Sequence, residues 1–279
     1  MSATEVTLAT IDPVPANTRQ KLAGRLFIAL RGLIIPLSLV MVWELAVRIE
    51  IIESRLLPAP SEIVNLIGYL AVNDNLTEHI GISTVRVLAG FTIGTLLAIL
   101  LGGITGLSRR WEALLDPMIQ GIRAIPSLAW VPLLLLWMGI DEAPKITLIA
   151  IGAFFPVYVN LVAGFHNVDR KLVEVGLLYG LSCRELVRRI FIPAALPALF
   201  TGLRNGLSLA WMFLVAAELI AASRGLGFLL TDGREIGRPD IVIAAILLFA
   251  LLGKITDGIL KWTEHNLLSW RDTYGSESI

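Results

Sequence analysis

Apolar residues in this chain gather in long runs, over 32–49, 85–107, 117–138, 144–165, 194–222 and 241–260. A hydrocarbon core ~30 Å thick needs about 20 apolar residues at 1.5 Å of rise each. Backbone groups in lipid must be satisfied within their own segment, which favours helices. The pattern therefore predicts an all-α membrane protein with six transmembrane helices. Polar residues divide the chain into a tail over 1–31, a membrane domain over 32–265 and a second tail over 266–279. Between the first two runs, Ser61 is placed to cap a short helix. Residues 63, 66, 67 and 70 give that helix one apolar stripe suited to a membrane interface.

Composition supports the same class. The chain is 56% hydrophobic and 16% charged, where a soluble domain carries about 25% charged residues. Its formal net charge is zero, so no global field points to nucleic acid. The N-terminal basic stretch is too long for a secretory signal, and no small-residue cleavage site follows the first apolar run. One cysteine, Cys183, excludes an intrachain disulfide and a cysteine metal cluster. His79, His166 and His265 fall in separate places, so no metal site is predicted. Gly90/Gly94 and Gly102/Gly106 each form a G-x-x-x-G, which lets two helices approach closely where lipid removes the hydrophobic drive. Pro126, Pro132, Pro156 and Pro197 mark positions where helices bend.

Charge then orients the spans. Six spans leave both termini on one side. That side collects Arg19, Lys21, Arg25, Arg31, Arg109, Arg110, Arg170, Lys171, Arg184, Arg188, Arg189, Lys261 and Arg271. The other side has Arg48, Arg55, Arg86, Lys145, Arg224, Arg234 and Arg238, much of it balanced by acidic residues. By the positive-inside rule both termini and the Asp169–Ile192 loop are cytosolic.

That loop has its own local logic. Asp169 is placed to cap a helix over Arg170–Tyr179, and Gly180 allows it to end. Ser182-Cys183-Arg184-Glu185 then reads as a capping box, with Leu181 and Leu186 as its hydrophobic staple. A second short helix is expected to run to about Ile190 and stop at Pro193, which in turn opens the fifth span. The physics of the residues leaves two readings open, an ordinary basic connector at the membrane surface and a docking element for a cytosolic partner.

The spacing within the loop carries a resemblance. Glu174, Val175, Gly176, then Gly180, then Ile190, Phe191, Ile192 and Pro193 resemble the EAA motif of ABC-importer permeases. The acidic residue, glycine, isoleucine and proline match; the two alanines are Val175 and Gly176, and the leucine is Ile192. Over about 32–265 the chain is similar to the aliphatic-sulfonate, taurine and nitrate/bicarbonate branch of these permeases, with RAIPSLAWVPLLLLWMGIDEAPK and ILLFALLGKITD as further points of likeness. The resemblance implies a type I ABC-importer permease fold in the cytoplasmic (inner) membrane. It implies a homodimer served by two cytosolic ATP-binding subunits, which hold ATP-Mg, and by an external substrate-binding protein. It makes the stretch over 169–193 the ATPase-coupling loop, with Glu174, Gly180, Ser182, Glu185, Ile190 and Pro193 as its key positions.

The remaining polar residues fit that expectation. A P-loop needs G-x-x-x-x-G-K-[ST] to cradle phosphates; Gly253-Lys254 lacks the upstream glycine and is followed by Ile255. The chain is thus expected to be non-catalytic, with no cofactor of its own. Polar groups inside spans are expensive in lipid and mark candidate paths, here Arg123, Ser127, Asn160, Arg204, Ser208 and Glu218. Lys254 and Asp257, three residues apart, are placed to pair. The expected cargo is a small anion such as an aliphatic sulfonate, with taurine, nitrate, bicarbonate and a vitamin precursor as alternatives. A channel or secondary transporter would also have six spans, but would not need a capped basic helix pair before the fifth. No nucleophile–base or metal arrangement supports an intramembrane enzyme.

Overall fold

The structure is a computed structural model, and it describes residues 34–268. The tail expected over 1–31 lies outside the described residues, as does that expected over 266–279 from residue 269 onward. The chain separates into two units, up to Ser61 and from Glu62 onward.

In the first unit a helix, α1, covers 34–48. Arg48 Nε donates to Glu44 Oε1 at 2.7 Å, one turn away on the same helix. Ser61 does not cap a helix. Its backbone N–H and hydroxyl both donate to Glu44, at 3.0 and 2.8 Å. The helix starts one residue earlier, as α2 (Pro60–Asn73), because proline's preset φ and missing N–H suit a first turn.

The second unit is built on three long helices, α3 (Leu76–Leu107), α6 (Glu142–His166) and α9 (Ile192–Ala221). α6 lies between the other two, parallel to α3 and antiparallel to α9. Glycines make this possible. A Cβ at Gly90 would meet Ile149, one at Gly94 would overlap the carbonyl oxygen of Ala150, and one at Gly106 would meet Phe165. On the other flank Gly202 and Gly206 lie against Pro156, Val157 and Ala153. Both expected G-x-x-x-G pairs thus face α6. Between the glycines sit Val87, Ile149, Ala153, Ala210 and Leu214, all essentially inaccessible. The apolar stripe of α2 meets Leu226 and Leu248 rather than standing free.

Three elements depart from the expected spans. The third is no continuous helix. α4 (Arg109–Arg123) ends before a 3₁₀ turn, Ser127–Trp130, which leads into α5 (Val131–Met138), and the two arms meet at 85°. Pro126 lacks the N–H that would continue α4, and Pro132 suits the first turn of a new helix. α4 is also strongly two-faced, with Arg109, Arg110, Glu112, Asp116 and Arg123 against Leu115 and Ile119. The stretch between the fifth and sixth spans, expected as a loop, holds α10 (Leu226–Glu235). The sixth span is longer than its apolar run, as α11 (Pro239–Leu267). Among the described residues four helices are long and apolar enough to cross a membrane, and the bent pair makes a fifth.

The close α3–α6 approach is testable in detergent-solubilised protein. Gly94→Ala must push against backbone and should cost roughly 1–3 kcal/mol of stability. Gly103→Ala, on the same helix with open space at its Cβ, should be neutral or stabilise by up to about 1 kcal/mol. Thermal unfolding of the two variants side by side checks this.

Candidate functional site

The Asp169–Pro193 stretch forms at the end of the bundle where α6 finishes and α9 begins. Asp169 caps α7 (Arg170–Leu178), its Oδ1 accepting from the Lys171 N–H at 2.9 Å. Glu174 is on the surface, accepting from Arg170 Nε at 2.9 Å. α7 ends through a double backbone closure. The N–H of Leu181 reaches the carbonyl of Gly176 at 3.1 Å, and the N–H of Gly180 reaches that of Leu177 at 2.9 Å. That is a Schellman ending, which needs a left-handed residue after the cap. Gly180 supplies it with φ +71°.

The chain then restarts at once. Ser182 and Glu185 form the expected capping box. The Glu185 N–H donates to Ser182 Oγ at 3.4 Å, and the Ser182 N–H to Glu185 Oε2 at 2.9 Å. Leu181, Leu186 and Ile190 converge on Gly176, where a Cβ would meet all three. The small residue at 176 is therefore a packing requirement. It lets the first short helix lie across the second, and it explains why Ile190 sits where it does.

The second short helix does not stop at Pro193. α8 (Cys183–Leu186) passes through a π turn, Val187–Phe191, directly into α9, and Cys183–Ile220 is one helix of 38 residues. Inside an α-helix, Pro193 would clash with the carbonyl one turn earlier and break a hydrogen bond. The wider π turn just before it relieves both problems. The tip of the loop is open. Leu178 and Tyr179 are 86% and 82% exposed, and Arg184, Arg188 and Arg189 share the exposed or half-exposed side of the second helix.

The candidate path residues do not form one site. Arg123 ends α4 on the surface and donates to Gln120 at 3.2 Å. Ser127 opens the 3₁₀ turn after the bend. Asn160 Nδ2 donates to the Pro156 carbonyl at 2.8 Å, within α6. Ser208 is exposed one turn from Arg204 and donates to its carbonyl. Arg204 bridges α9 to α11, with Nε and Nη2 at 3.0 and 3.3 Å from the two oxygens of Asp257. Asp257 therefore pairs across helices with Arg204 rather than along its own helix with Lys254.

Glu218 lies at the opposite end of the bundle, at the buried side of a charge cluster that sequence reasoning missed and whose Glu142 side chain is 49% exposed. Arg86 donates through Nε and Nη2 to both oxygens of Glu142, at 2.6 and 2.5 Å. Its Nη1 donates to Glu218 Oε1 at 2.8 Å and to the Arg224 carbonyl at 2.7 Å. Ser83 Oγ donates to Glu218 at 2.7 Å and accepts from the Leu226 N–H at 2.9 Å. The Gly227 N–H donates to Glu218 Oε2 at 2.7 Å, and Lys145 joins Glu142 at 3.1 Å. The side chain of Glu218 is 0% exposed and that of Arg86 5%. Arg86 and Lys145, expected at the outer ends of the second and fourth spans, both lie on helices and are buried. The available signal was Glu218 itself, since a carboxylate inside a span demands a cation.

Comparison with known proteins places this geometry. Residues 94–268 match the model of a family described as binding-protein-dependent transport system inner membrane component. The chain is 43% identical over 240 residues to the aliphatic sulfonates transport permease protein SsuC of Escherichia coli (strain K12), covering 86% of this chain and 91% of that one. It is 38% identical over 245 residues to the protein of the same name from Bacillus subtilis (strain 168), covering 88% and 89%. It is 33% identical over 237 residues to the taurine transport system permease protein TauC of Escherichia coli (strain K12), covering 83% and 86%. Among solved structures, a chain of the MetNI methionine ABC transporter in inward facing conformations has the same fold. Its TM-score is 0.59 at 17% identity, covering 69% of this chain and 95% of that one.

Two ion pairs in this protein should respond very differently to truncation. Arg86→Ala leaves Glu218 buried without its cation and should cost about 3–5 kcal/mol. Arg170→Ala removes a pair whose partners are 91% and 57% exposed and should change stability by no more than ~0.5 kcal/mol. Denaturation of both variants in the same detergent measures the difference.

Proposed function

The chain belongs to the family of binding-protein-dependent transport system inner membrane components, and on that premise we propose that it is the permease subunit of an ATP-driven importer of small anions, with an aliphatic sulfonate as first candidate. Six spans put both termini and the Asp169–Pro193 loop in the cytosol, with α1 as the first span and the bent α4–α5 pair as the third. Two copies of the chain pair, two cytosolic ATPase subunits hold ATP-Mg, and an external binding protein delivers the cargo. The relatives named for sulfonates and taurine cover most of this chain, which supports a sulfonate-type anion. The alternative cargo is bicarbonate, since a further relative, 31% identical over 187 residues, is named for it.

The observation that carries the reading is the build of the loop. Two short helices are locked to each other at Gly176, turned by Gly180 and capped by Ser182–Glu185. The second is continuous with α9. A rigid lever of this kind passes movement of a docked partner straight into a span, which a loose connector would not do. Leu178 and Tyr179 at its tip are the apolar knobs for a cleft on the ATPase. ATP binding draws the two ATPases together, the loops follow, and the path between the permease copies changes its open side. Arg123, Ser127, Asn160 and Ser208 line that path together with Arg204.

A bulky residue at 180 tests the lever. Gly180→Val forces a β-branched side chain into positive φ, at a cost of about 1–2 kcal/mol or more, and breaks the turn. Tagged full-length protein carrying this change should lose most of the ATPase that co-purifies with the unchanged chain, and uptake should fall at least tenfold. Unchanged co-purification and uptake would rule the loop out as the coupling element.

A further inference from the structure

Two arginines sit inside the long helices, and their surroundings differ in kind. A guanidinium has five N–H donors. Arg86 engages its Nε, Nη2 and Nη1 with Glu142, Glu218 and the Arg224 carbonyl, and it is sealed at 5% exposure. Arg204 makes two hydrogen bonds, both to Asp257. Its Nη1 lies 3.8 Å from Glu264, too far for a hydrogen bond. The Arg204 and Asp257 side chains are 39% and 32% exposed.

Depth makes that exposure informative. Arg204 lies about 15 Å inside the apolar run that begins at residue 194, and Asp257 about 5 Å inside the end of the run at residue 260, at 1.5 Å per residue. Both residues stand within apolar runs, and charged groups inside a membrane face a bundle interior or a watery cavity rather than hydrocarbon. Exposed polar residues stand beside the pair, among exposed apolar ones such as Ile255 and Ile259. Asn205 and Ser208 flank Arg204 on α9, and Lys254 and Lys261 stand one turn to either side of Asp257 on α11. Three cations thus surround the two acids, Asp257 and Glu264, and the surplus is positive.

We propose that Arg204 is the residue that contacts the cargo anion inside the path, and that Asp257 is its resident counter-ion. This rests on the anion-import reading. The free Nη1 and the outer N–H of Nη2 present two parallel donors, the geometry that suits two oxygens of one oxyanion. Asp257 holds the Nε side and fixes the direction of the fork. It also lowers the net charge that the anion meets. A site for passage must bind firmly enough to admit its ion and weakly enough to release it, and a counter-ion that competes for the same guanidinium meets both needs.

The test uses the full permease–ATPase complex in proteoliposomes with its binding protein and labelled ethanesulfonate. Co-purified ATPase and thermal midpoint report assembly for every variant. Arg204→Gln should lower uptake at least tenfold while the ATPase stays bound. Asp257→Asn should lower the half-saturating ethanesulfonate concentration at least threefold and slow maximal uptake, because the anion is held too well. The exchange of the two residues, R204D with D257R, should recover assembly but not uptake, since the fork then projects from the other helix. Recovery of both by the exchange, or wild-type uptake by Arg204→Gln, would overturn the proposal and leave a structural ion pair. Should Arg204→Gln fail to assemble, Arg204→Lys decides: it keeps the charge and loses the fork, so retained uptake overturns the proposal and lost uptake with bound ATPase supports it. A wild-type complex that moves no ethanesulfonate, taurine or bicarbonate overturns the import reading itself, independently of any variant.

Discussion

A guanidinium withdrawn from water must find its counter-charges in the protein, and Arg86 finds them on two other helices. Glu142 comes from the start of α6 and Glu218 from the end of α9. One side chain therefore holds the same end of all three long helices together. The turn after α9 is drawn in as well, because the carbonyl of Arg224 and the N–H groups of Leu226 and Gly227 complete the cluster. Gly225 and Gly227 have no side chain for a reason visible here: a Cβ at Gly225 would strike the Glu218 carboxylate, and one at Gly227 the Glu218 Cβ. Desolvation makes such a cluster costly to assemble, and its partners are so fully used that none can be withdrawn without leaving another unpaired.

From that anchor the rest of the bundle follows by close contact. α6 is flanked by glycines on both neighbours, so its backbone lies near both of theirs. Lipid offers no hydrophobic reward for helix association, and packing has to supply it. The anchored end and the glycine seam together give a stiff three-helix core. At the other end α9 continues without interruption into the short helix that carries Arg184, Arg188 and Arg189. The same helix carries Glu218 in the charge cluster, Arg204 in the open pair and the packed junction at Ile190. All three features thus lie on one continuous helix.

The contrast between Arg86 and Arg204 is one of accounting for donors. Both are arginines within long helices, and both pair with carboxylates from other elements. One has its donors engaged and is closed to solvent; the other keeps N–H groups without a hydrogen bond on a partly open face. The first arrangement serves rigidity. The second leaves the guanidinium partly open to solvent.

Much of this was legible in consecutive residues. The apolar runs placed the long helices, the Ser182–Glu185 box and Gly180 placed the short ones, and the G-x-x-x-G pairs announced a close seam, because each depends only on neighbours within about a turn. The bend at Pro126 was legible only as a possible kink; that it reaches 85° depended on how α5 packs. The continuity through Pro193 was hidden, since a π turn is a local adjustment that no short motif announces. By itself the sequence determined the class of molecule, its helices and the loop that resembles a coupling element. Only the tertiary structure decided which charges meet, because Arg86 stands 56 residues from Glu142 and 132 from Glu218, and Arg204 stands 53 from Asp257. No periodicity reports a pairing across such distances; it exists only once the helices are packed, when each buried charge must take the partner that packing brings within reach.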